Sequence, residues 1–138
     1  MDSGLNHVVL VNNARRALEK GRFELIYQPI YSVGHREVDS LETLLRWRME
    51  PGKLAAAQEF RGIFRDPSMS LSIRNFVLEN TIRQAAAWQD DGHHFGRLSI
   101  NTTAFDLCSG DLAGRLEAML ALYRLSPDMI EIEVPENA

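Results

Sequence analysis

The chain has 138 residues, of which 45% are hydrophobic and 25% are charged, a composition typical of a globular domain and not of disordered, fibrous or membrane-spanning chains. Lys and Arg number 15 against 19 Asp and Glu, a formal net charge of -4, which argues against binding to nucleic acid polymers through their phosphates. No apolar run suits a transmembrane helix, and residues 1–4 lack signal-peptide features. The single cysteine, Cys108, has no internal disulfide partner, so we expect a reducing, cytoplasmic location.

The first third of the chain is predicted to form a helix and then a β-hairpin. Residues 1–12 are assigned to an N-terminal leader, and residues 13–20 predict a short helix because they are rich in helix-forming residues and a glycine follows. Residues 23–31 concentrate aromatic and β-branched side chains, which predicts the first strand. After a turn at Gly34, residues 37–48 predict a second strand, antiparallel to the first.

Helices and strands alternate in the remainder of the chain. After a loop at residues 50–54, the pattern predicts a short helix over 55–65 and a long amphipathic helix from about residue 71 to Gly92. Two further strands are predicted at 97–101 and 129–134, on either side of an amphipathic helix over 111–124. This alternation implies crossover connections and a largely parallel sheet, so the predicted class is α/β.

Three polar residues interrupt or end strands that otherwise read as apolar: Glu42, Asn101 and Glu133. A buried carboxylate is costly unless it has a cation, a hydrogen-bond partner or solvent access. If the strands are neighbours in one sheet, the three side chains converge at one rim. Such an oxygen-rich set suits Mg²⁺ or Mn²⁺ better than zinc.

Each of these residues also has a purely structural interpretation. Glu42 would pair with Arg46 or Arg48, the Asn101 side chain would cap the following helix, and Glu133 would face solvent at a sheet edge. Spacing alone does not decide between the two interpretations.

Five motifs resemble the EAL family of cyclic di-GMP phosphodiesterases, in the same order along the chain. The family is named for a Glu-Ala-Leu motif that reads Glu42-Thr43-Leu44 here. The matching segments are YQPI at 27–30, LETLLRW at 41–47, FVLE at 76–79 with Trp88, SIN at 99–101 and IEIE at 130–133.

The resemblance implies a (β/α) barrel whose first strand runs against the others, with about four strands present. A full barrel of this class needs roughly 250 residues, so residues 13–138 are expected to form its N-terminal half, incomplete at the C-terminus. The open edge of such a half would need a covering partner, either a second copy of the chain or another protein.

The resemblance also implies residue roles. Glu42, Asn101 and Glu133 match metal ligands, which makes Mg²⁺ or Mn²⁺ the implied cofactor. Three other residues match positions that hold the cyclic dinucleotide: Gln28, Leu44 and Arg46. Glu136 matches an acidic residue of the loop after the fourth strand, associated with the metal site and the dimer surface, although a solvated terminal carboxylate explains it equally well.

The family's Asp-Asp pair and later catalytic residues have no counterpart after Glu133. Asp90-Asp91 resembles that pair but precedes Asn101 and follows the long helix, so we interpret it as solvated surface. The sequence therefore predicts a cyclic di-GMP signalling domain that retains nucleotide or metal binding but is not catalytically competent alone. Two alternatives stay open: a fragment of an active cyclic di-GMP phosphodiesterase, and a degenerate module that acts through protein–protein contacts.

Overall fold

Nine helices and strands make up the part of the chain that the computed structural model describes, residues 3–34, 38–50 and 52–136. The helices are α1 (Ser3–Glu19), α2 (Pro67–Asp90), α3 (Ala104–Cys108) and α4 (Leu112–Tyr123). The strands are β1 (Phe23–Tyr31), β2 (Val38–Glu50), β3 (Lys53–Ala56), β4 (Arg97–Asn101) and β5 (Ile130–Glu133). Short 3₁₀ turns lie at Ala57–Glu59, Arg61–Arg65 and Pro127–Met129.

The strands form one sheet in the order β1-β2-β4-β5, with β3 paired to the far end of β2. β1 and β2 are antiparallel, whereas β2, β4 and β5 run parallel to one another. α2 connects β2 to β4 and α4 connects β4 to β5, as expected for crossovers between parallel strands. The predicted α/β class, with a first strand that runs against the others, is confirmed.

Three elements differ from the sequence prediction. α1 begins at Ser3 and not at residue 13. The segment predicted as a helix over 55–65 instead starts with strand β3, which pairs with β2 from Arg46↔Ala56 to Glu50↔Lys53 and continues as two 3₁₀ turns. The five-residue helix α3 was not predicted. The assignment of residues 1–12 to a leader and of 13–138 to the domain stays a prediction.

The hydrophobic core lies between the helices and one face of the sheet. One cluster joins α1, β2 and the 3₁₀ turns, and there the ring of Phe60 contacts Phe23 and Trp47 at centroid distances of 5.8 and 5.6 Å. A second cluster joins α2, β4 and α4 around Ile82 and Leu98, both fully buried. Because side chains alternate along a strand, the opposite face of the sheet carries the remaining strand residues.

Gly96 sets the entry of the chain into β4. Its φ is +75°, and a Cβ atom at this position would overlap the carbonyl oxygen of Asp39, next to the start of β2. Only glycine combines this backbone conformation with so close an approach between two strands. Gly96 therefore fixes the spacing of β2 and β4 at one end of the parallel sheet.

Candidate functional site

The two faces of β2 carry different residues, one set buried in the core and the other partly exposed. Thr43, Leu45 and Trp47 are buried on the face that packs against the helices. Glu42, Leu44 and Arg46 alternate with them and are half-buried on the opposite face. The Glu-Thr-Leu motif thus presents its first and third residues to one face and its second residue to the core.

The register of the sheet brings Gln28 and Glu42 together. The two residues are direct cross-strand partners in the antiparallel β1–β2 pair, so their side chains share a face. Tyr27, the residue before Gln28, lies on the other face and packs edge-on against Trp88, with ring centroids 5.0 Å apart. Burial raises the pKa of the Tyr27 hydroxyl. This packing holds the strand so that Gln28 is presented, exposed, beside Glu42.

Asn101 and Glu133 are neighbours at the carboxyl ends of β4 and β5. They are paired in the parallel register, and each is the last residue of its strand. The buried Ser99 hydroxyl donates a hydrogen bond to Glu133 Oε1 at 2.5 Å. The backbone N–H and hydroxyl of Thr102 both donate to the carbonyl oxygen of Glu133, at 3.0 and 2.9 Å. Hydrogen bonds therefore hold the end of β5 beside the end of β4.

Ser99 also links this pair to Glu42, because Glu42 and Ser99 are partners in the β2–β4 register. The parallel pairing of β2 ends at Thr43, and the later part of β2 pairs with β3 instead. Glu42 consequently lies near the carboxyl end of the parallel part of its strand, although it stands early in β2 itself. One face of the sheet thus carries Glu42, Asn101 and Glu133 at its carboxyl rim.

The structural interpretation of Glu42 does not hold for the described residues. Arg48 pairs with Glu24 through two hydrogen bonds of 3.2 and 2.9 Å, and Arg46 Nη1 donates to the carbonyl oxygen of Leu45 at 2.9 Å. Within residues 3–34, 38–50 and 52–136, Glu42 forms no ion pair with either arginine. Arg46 likewise makes no ion pair with any acidic residue of these ranges, so its guanidinium is available to an anion.

Asn101 does not cap the following helix. Thr103 takes that role: its Oγ1 accepts from the backbone N–H of Asp106 at 3.1 Å, and Asp106 Oδ2 accepts from the N–H of Thr103. Glu133 is exposed at the edge strand β5, as the structural interpretation expected, but it is also held by Ser99. Glu136 lies exposed in the turn after β5.

Sequence similarity decides the family. Residues 11–138 match the protein family described as EAL domain. The chain belongs to the EAL domain family. The curated signaling protein YkoW of Bacillus subtilis is 32% identical to this EAL domain over 123 residues, which are 89% of this chain and 15% of YkoW. The cyclic di-GMP phosphodiesterase NbdA of Pseudomonas aeruginosa is 31% identical over 124 residues, which are 90% of this chain and 16% of NbdA.

Solved structures agree with this assignment. The PaMucR phosphodiesterase in its c-di-GMP complex matches with a TM-score of 0.84 and 26% identity, over 92% of this chain and 51% of that chain. This EAL domain chain therefore spans about half of that solved chain and a much smaller share of the two curated relatives. None of the helices in the described ranges is both long enough and apolar enough to cross a membrane.

The rim residues of this EAL domain fit a hard divalent cation by their donor chemistry. Glu42, Asn101 and Glu133 offer two carboxylates and one amide, all oxygen donors, on one face of adjoining strands. Within the described ranges, no group of three or more His, Cys, Asp or Glu residues is placed to hold a metal ion. The rim does not form such a group, because it has two acidic residues and the amide of Asn101. His93 and His94 lie exposed in the turn after α2.

The contacts that Ser99 and Thr102 make with Glu133 were not predicted from the sequence, although Ser99 belongs to the SIN motif. Ser99 stands two positions before Asn101, so strand alternation places both on the same face. That alternation was the available signal, but a serine in a buried strand is ordinary and its partner Glu133 is 34 residues away. Asp90 and Asp91 lie at the exposed C-terminal end of α2, in agreement with their interpretation as surface residues.

Proposed function

We propose that this EAL domain binds cyclic di-GMP on the sheet face that carries Gln28, Leu44 and Arg46, together with a divalent cation, as a signalling module. The observation that carries the proposal is the register of the sheet, which puts these three residues on the same face as Glu42, Asn101 and Glu133. The similarity to NbdA, a cyclic di-GMP phosphodiesterase, and to the c-di-GMP complex of PaMucR supports this choice of ligand.

Arg46 is suited to hold a phosphate of the ligand. A guanidinium forms two parallel hydrogen bonds to phosphate oxygens, and these bonds are stronger than those between neutral groups. Glu24, the cross-strand partner of Arg46, is already occupied by Arg48. The charge of Arg46 is therefore not neutralised by its nearest acidic neighbour.

Gln28 and Leu44 would complete the contact with the nucleotide. The Gln28 amide both donates and accepts hydrogen bonds, and its side chain is exposed. Leu44 is half-buried between the polar positions of Glu42 and Arg46 and offers apolar area to a base.

Glu42, Asn101 and Glu133 would hold Mg²⁺ or Mn²⁺ in this proposal. When bound, such a cation polarises a phosphodiester and lowers the pKa of a water molecule. Ser99 orients the Glu133 carboxylate through its hydrogen bond, and Thr102 fixes the backbone beneath it. These contacts prepare the rim before a ligand arrives, which lowers the ordering cost of binding.

We further propose that the 138-residue chain by itself binds without hydrolysing. No Asp-Asp pair follows Glu133 in this sequence. The rim has only two acidic residues, Glu42 and Glu133, whereas metal-assisted hydrolysis uses further groups to position the cation and the water. Incubation with cyclic di-GMP and Mn²⁺, followed by chromatography for the linear dinucleotide, tests this point. Metal-dependent turnover by the purified chain would show that the proposed inactivity is wrong.

The binding proposal is tested by calorimetry with cyclic di-GMP in the presence of Mg²⁺ or Mn²⁺. Glu42→Gln keeps the size of the side chain but removes its charge, and we expect the cation-dependent affinity to fall by about tenfold or more. Glu117→Gln, at an exposed position of α4, is the matched control and is expected to bind like the unmodified chain. Absence of binding by the unmodified chain, or equal affinities for both variants, would contradict the proposal.

Arg46 on β2 and Arg83 on α2 provide a second matched pair of arginines. Arg46→Ala is expected to weaken cyclic di-GMP binding by about tenfold or more, because it removes charge-assisted hydrogen bonds to phosphate. Arg83→Ala breaks an exposed ion pair with Glu79 and is expected to leave the affinity almost unchanged. Equal losses in the two variants would indicate a general charge effect and not a contact by Arg46.

An alternative is that this chain is part of a longer, active phosphodiesterase specific for cyclic di-GMP. The chain spans 51% of the PaMucR chain and 16% of NbdA, which favours a larger functional unit. The test is cyclic di-GMP hydrolysis by the full product of the source gene. Loss of that activity in the Glu42→Gln form of the full product, with retention in Glu117→Gln, is the expected result.

A second alternative is an interaction module that pairs with another copy of the chain or with a different protein. Ile26 and Ile30 are 36% and 42% exposed and lie on the same face as Gln28. Sedimentation with and without cyclic di-GMP distinguishes the alternatives. An oligomer that Ile26→Lys disrupts and that the nucleotide leaves unchanged would favour this module over the nucleotide receptor. We place the domain in the cytoplasm in all three versions, because the exposed thiol of Cys108 is free.

A further inference from the structure

A cavity of about 210 Å³ lies between the sheet and α2, and its lining reaches Leu44, Arg46 and Asn101 of the face proposed to bind the nucleotide. It is enclosed by β2, β4, α2 and the segment around α3. Most of its wall is apolar and includes Leu45, Val77 and Ile100. A cavity of roughly 150 Å³ accommodates benzene in other proteins, so this space is large enough for a six-membered ring with a short substituent.

The polar residues of the lining include Thr43, Ser70 and Asp106. Their exposed fractions are 4%, 1% and 4%. Thr43 Oγ1, Ser70 Oγ and Asp106 Oδ1 are buried and find no hydrogen-bond partner in the described part of the chain. Such atoms are costly to leave unsatisfied, so a partner within the cavity would stabilise the domain.

Asp106 is held in a fixed position by its second oxygen. Oδ2 accepts from the Thr103 N–H at 3.2 Å, while the Asp106 N–H donates to Thr103 Oγ1 at 3.1 Å. This reciprocal pair at the start of α3 leaves Oδ1 as an acceptor without a donor. A ligand group that satisfies it has to donate a hydrogen bond.

The charges around the cavity favour a cationic donor. The Arg74 guanidinium also lines the cavity, but it donates to both carboxylate oxygens of Asp111, at 2.8 and 3.1 Å. Arg46, the other arginine of the lining, donates to the carbonyl oxygen of Leu45, so in the described part of the chain the Asp106 carboxylate has no cationic partner. A positively charged donor would neutralise this carboxylate, whereas an anionic group beside Asp106 Oδ1 would be repelled by it.

We propose that this cavity is a binding site for a small molecule with a compact apolar body and one primary amine, the ammonium group donating to Asp106 Oδ1. The hydroxyl groups of Ser70 and Thr43 can accept the remaining ammonium hydrogens. The apolar body takes the space beside Leu45 and Val77. The amine needs neither a phosphate nor a metal ion, but the cavity shares Leu44, Arg46 and Asn101 with the proposed nucleotide site, so amine binding is measured without cyclic di-GMP and without metal.

The test compares benzylamine, benzyl alcohol and toluene, which share a ring but differ in their donor group. Binding to the whole chain is measured by NMR titration. Benzylamine is expected to bind about tenfold or more tightly than toluene, with benzyl alcohol between them, because a hydrogen bond to a charged group is stronger than one between neutral groups. Equal affinity for benzylamine and toluene, or binding of none of the three, would overturn the proposal and leave the cavity to ordered water.

Asp106→Asn is the discriminating variant. An asparagine oxygen can still accept from Thr103, but an N–H₂ group then replaces Oδ1 and meets the ammonium donor with a donor. We expect benzylamine affinity to fall about tenfold or more, while toluene affinity stays the same. Asp128→Asn, at an exposed position, is the control. Unchanged benzylamine affinity in Asp106→Asn would show that Asp106 serves only as a helix cap.

A second variant keeps the proposal testable if Asp106→Asn does not fold. Val77→Phe adds volume to the cavity wall and leaves the pair of Thr103 and Asp106 intact. It is expected to abolish binding of all three probes, because the cavity is then filled. Benzylamine binding that survives in Val77→Phe would place the amine elsewhere on the surface and overturn the assignment.

Discussion

Phe60 joins the two 3₁₀ turns after β3 and is fully buried, with an exposed fraction of 0%. Its ring contacts Phe23 edge-on and Trp47 at a centroid distance of 5.6 Å. Replacement by alanine removes the whole ring and leaves a cavity between β2 and the turns. Phenylalanine-to-alanine changes in such positions cost about 3–5 kcal/mol, against the roughly 5–15 kcal/mol total that a domain has.

We therefore expect Phe60→Ala to lower the free energy of unfolding by about 4 kcal/mol, measured by urea denaturation followed by circular dichroism. Leu122→Ala is the control, because Leu122 is 74% exposed on α4 and surface changes of this kind stay within about 0.5 kcal/mol. A loss below about 1 kcal/mol for Phe60→Ala would refute the reasoning. It would mean that the 3₁₀ turns do not close the core behind β2.

Two further predictions concern an ion pair and a glycine. The hydrogen bonds from the Arg74 guanidinium hold the pKa of Asp111 well below its ordinary value. The ion pair therefore stabilises the native state fully at pH values above the ordinary pKa, and this contribution is lost as the pH falls through the lowered pKa. The difference in Tm between the unmodified chain and Asp111→Asn should be widest at neutral pH and narrow below about pH 4; a constant difference would contradict this. Gly96→Ala should lower the free energy of unfolding by about 1–3 kcal/mol through backbone strain alone, and by more because the new Cβ overlaps the carbonyl oxygen of Asp39. Gly114→Ala, in an open part of α4, should instead stabilise by up to about 1 kcal/mol, and similar urea midpoints for the two glycine variants would show that Gly96 is not constrained.

Local sequence pattern is sufficient for the hairpin of β1 and β2. Residues 23–31 were predicted as a strand and form β1 (Phe23–Tyr31), because aromatic and β-branched residues fit a half-buried pleated surface. The strands predicted at 97–101 and 129–134 likewise include all of β4 and β5. Apolar and polar residues alternate in β4 and β5, so the local pattern favours strands there without help from neighbouring elements.

Elements that depend on tertiary contacts were missed. The sequence of β3, Lys-Leu-Ala-Ala, has no strand preference, and pairing with the far end of β2 makes it a strand. The first half of α1 contains valines, which are weak helix formers, yet Val11 is buried against the core together with Ala14. Tertiary contacts outweigh intrinsic preference in both cases: strand pairing for β3 and packing of one helix face for α1.

The candidate site was predictable as a set of residues but not as an arrangement. Strand interruptions identified Glu42, Asn101 and Glu133, because a polar side chain in an apolar strand is conspicuous. The register that places Gln28 opposite Glu42 depends on how the hairpin closes, and the hydrogen bond from Ser99 to Glu133 depends on the crossover between β4 and β5. Neither is encoded in local spacing.

The alternation along β2 has an evolutionary consequence. Odd-numbered positions such as Leu45 and Trp47 maintain the fold, whereas Glu42, Leu44 and Arg46 face away from the core. Changes on one face leave the packing of the other nearly untouched. Related proteins can therefore change or lose the ligand-binding residues of this strand while the fold persists. Whether a substitution falls on an odd-numbered or an even-numbered position of β2 is then more informative than its place in the motif.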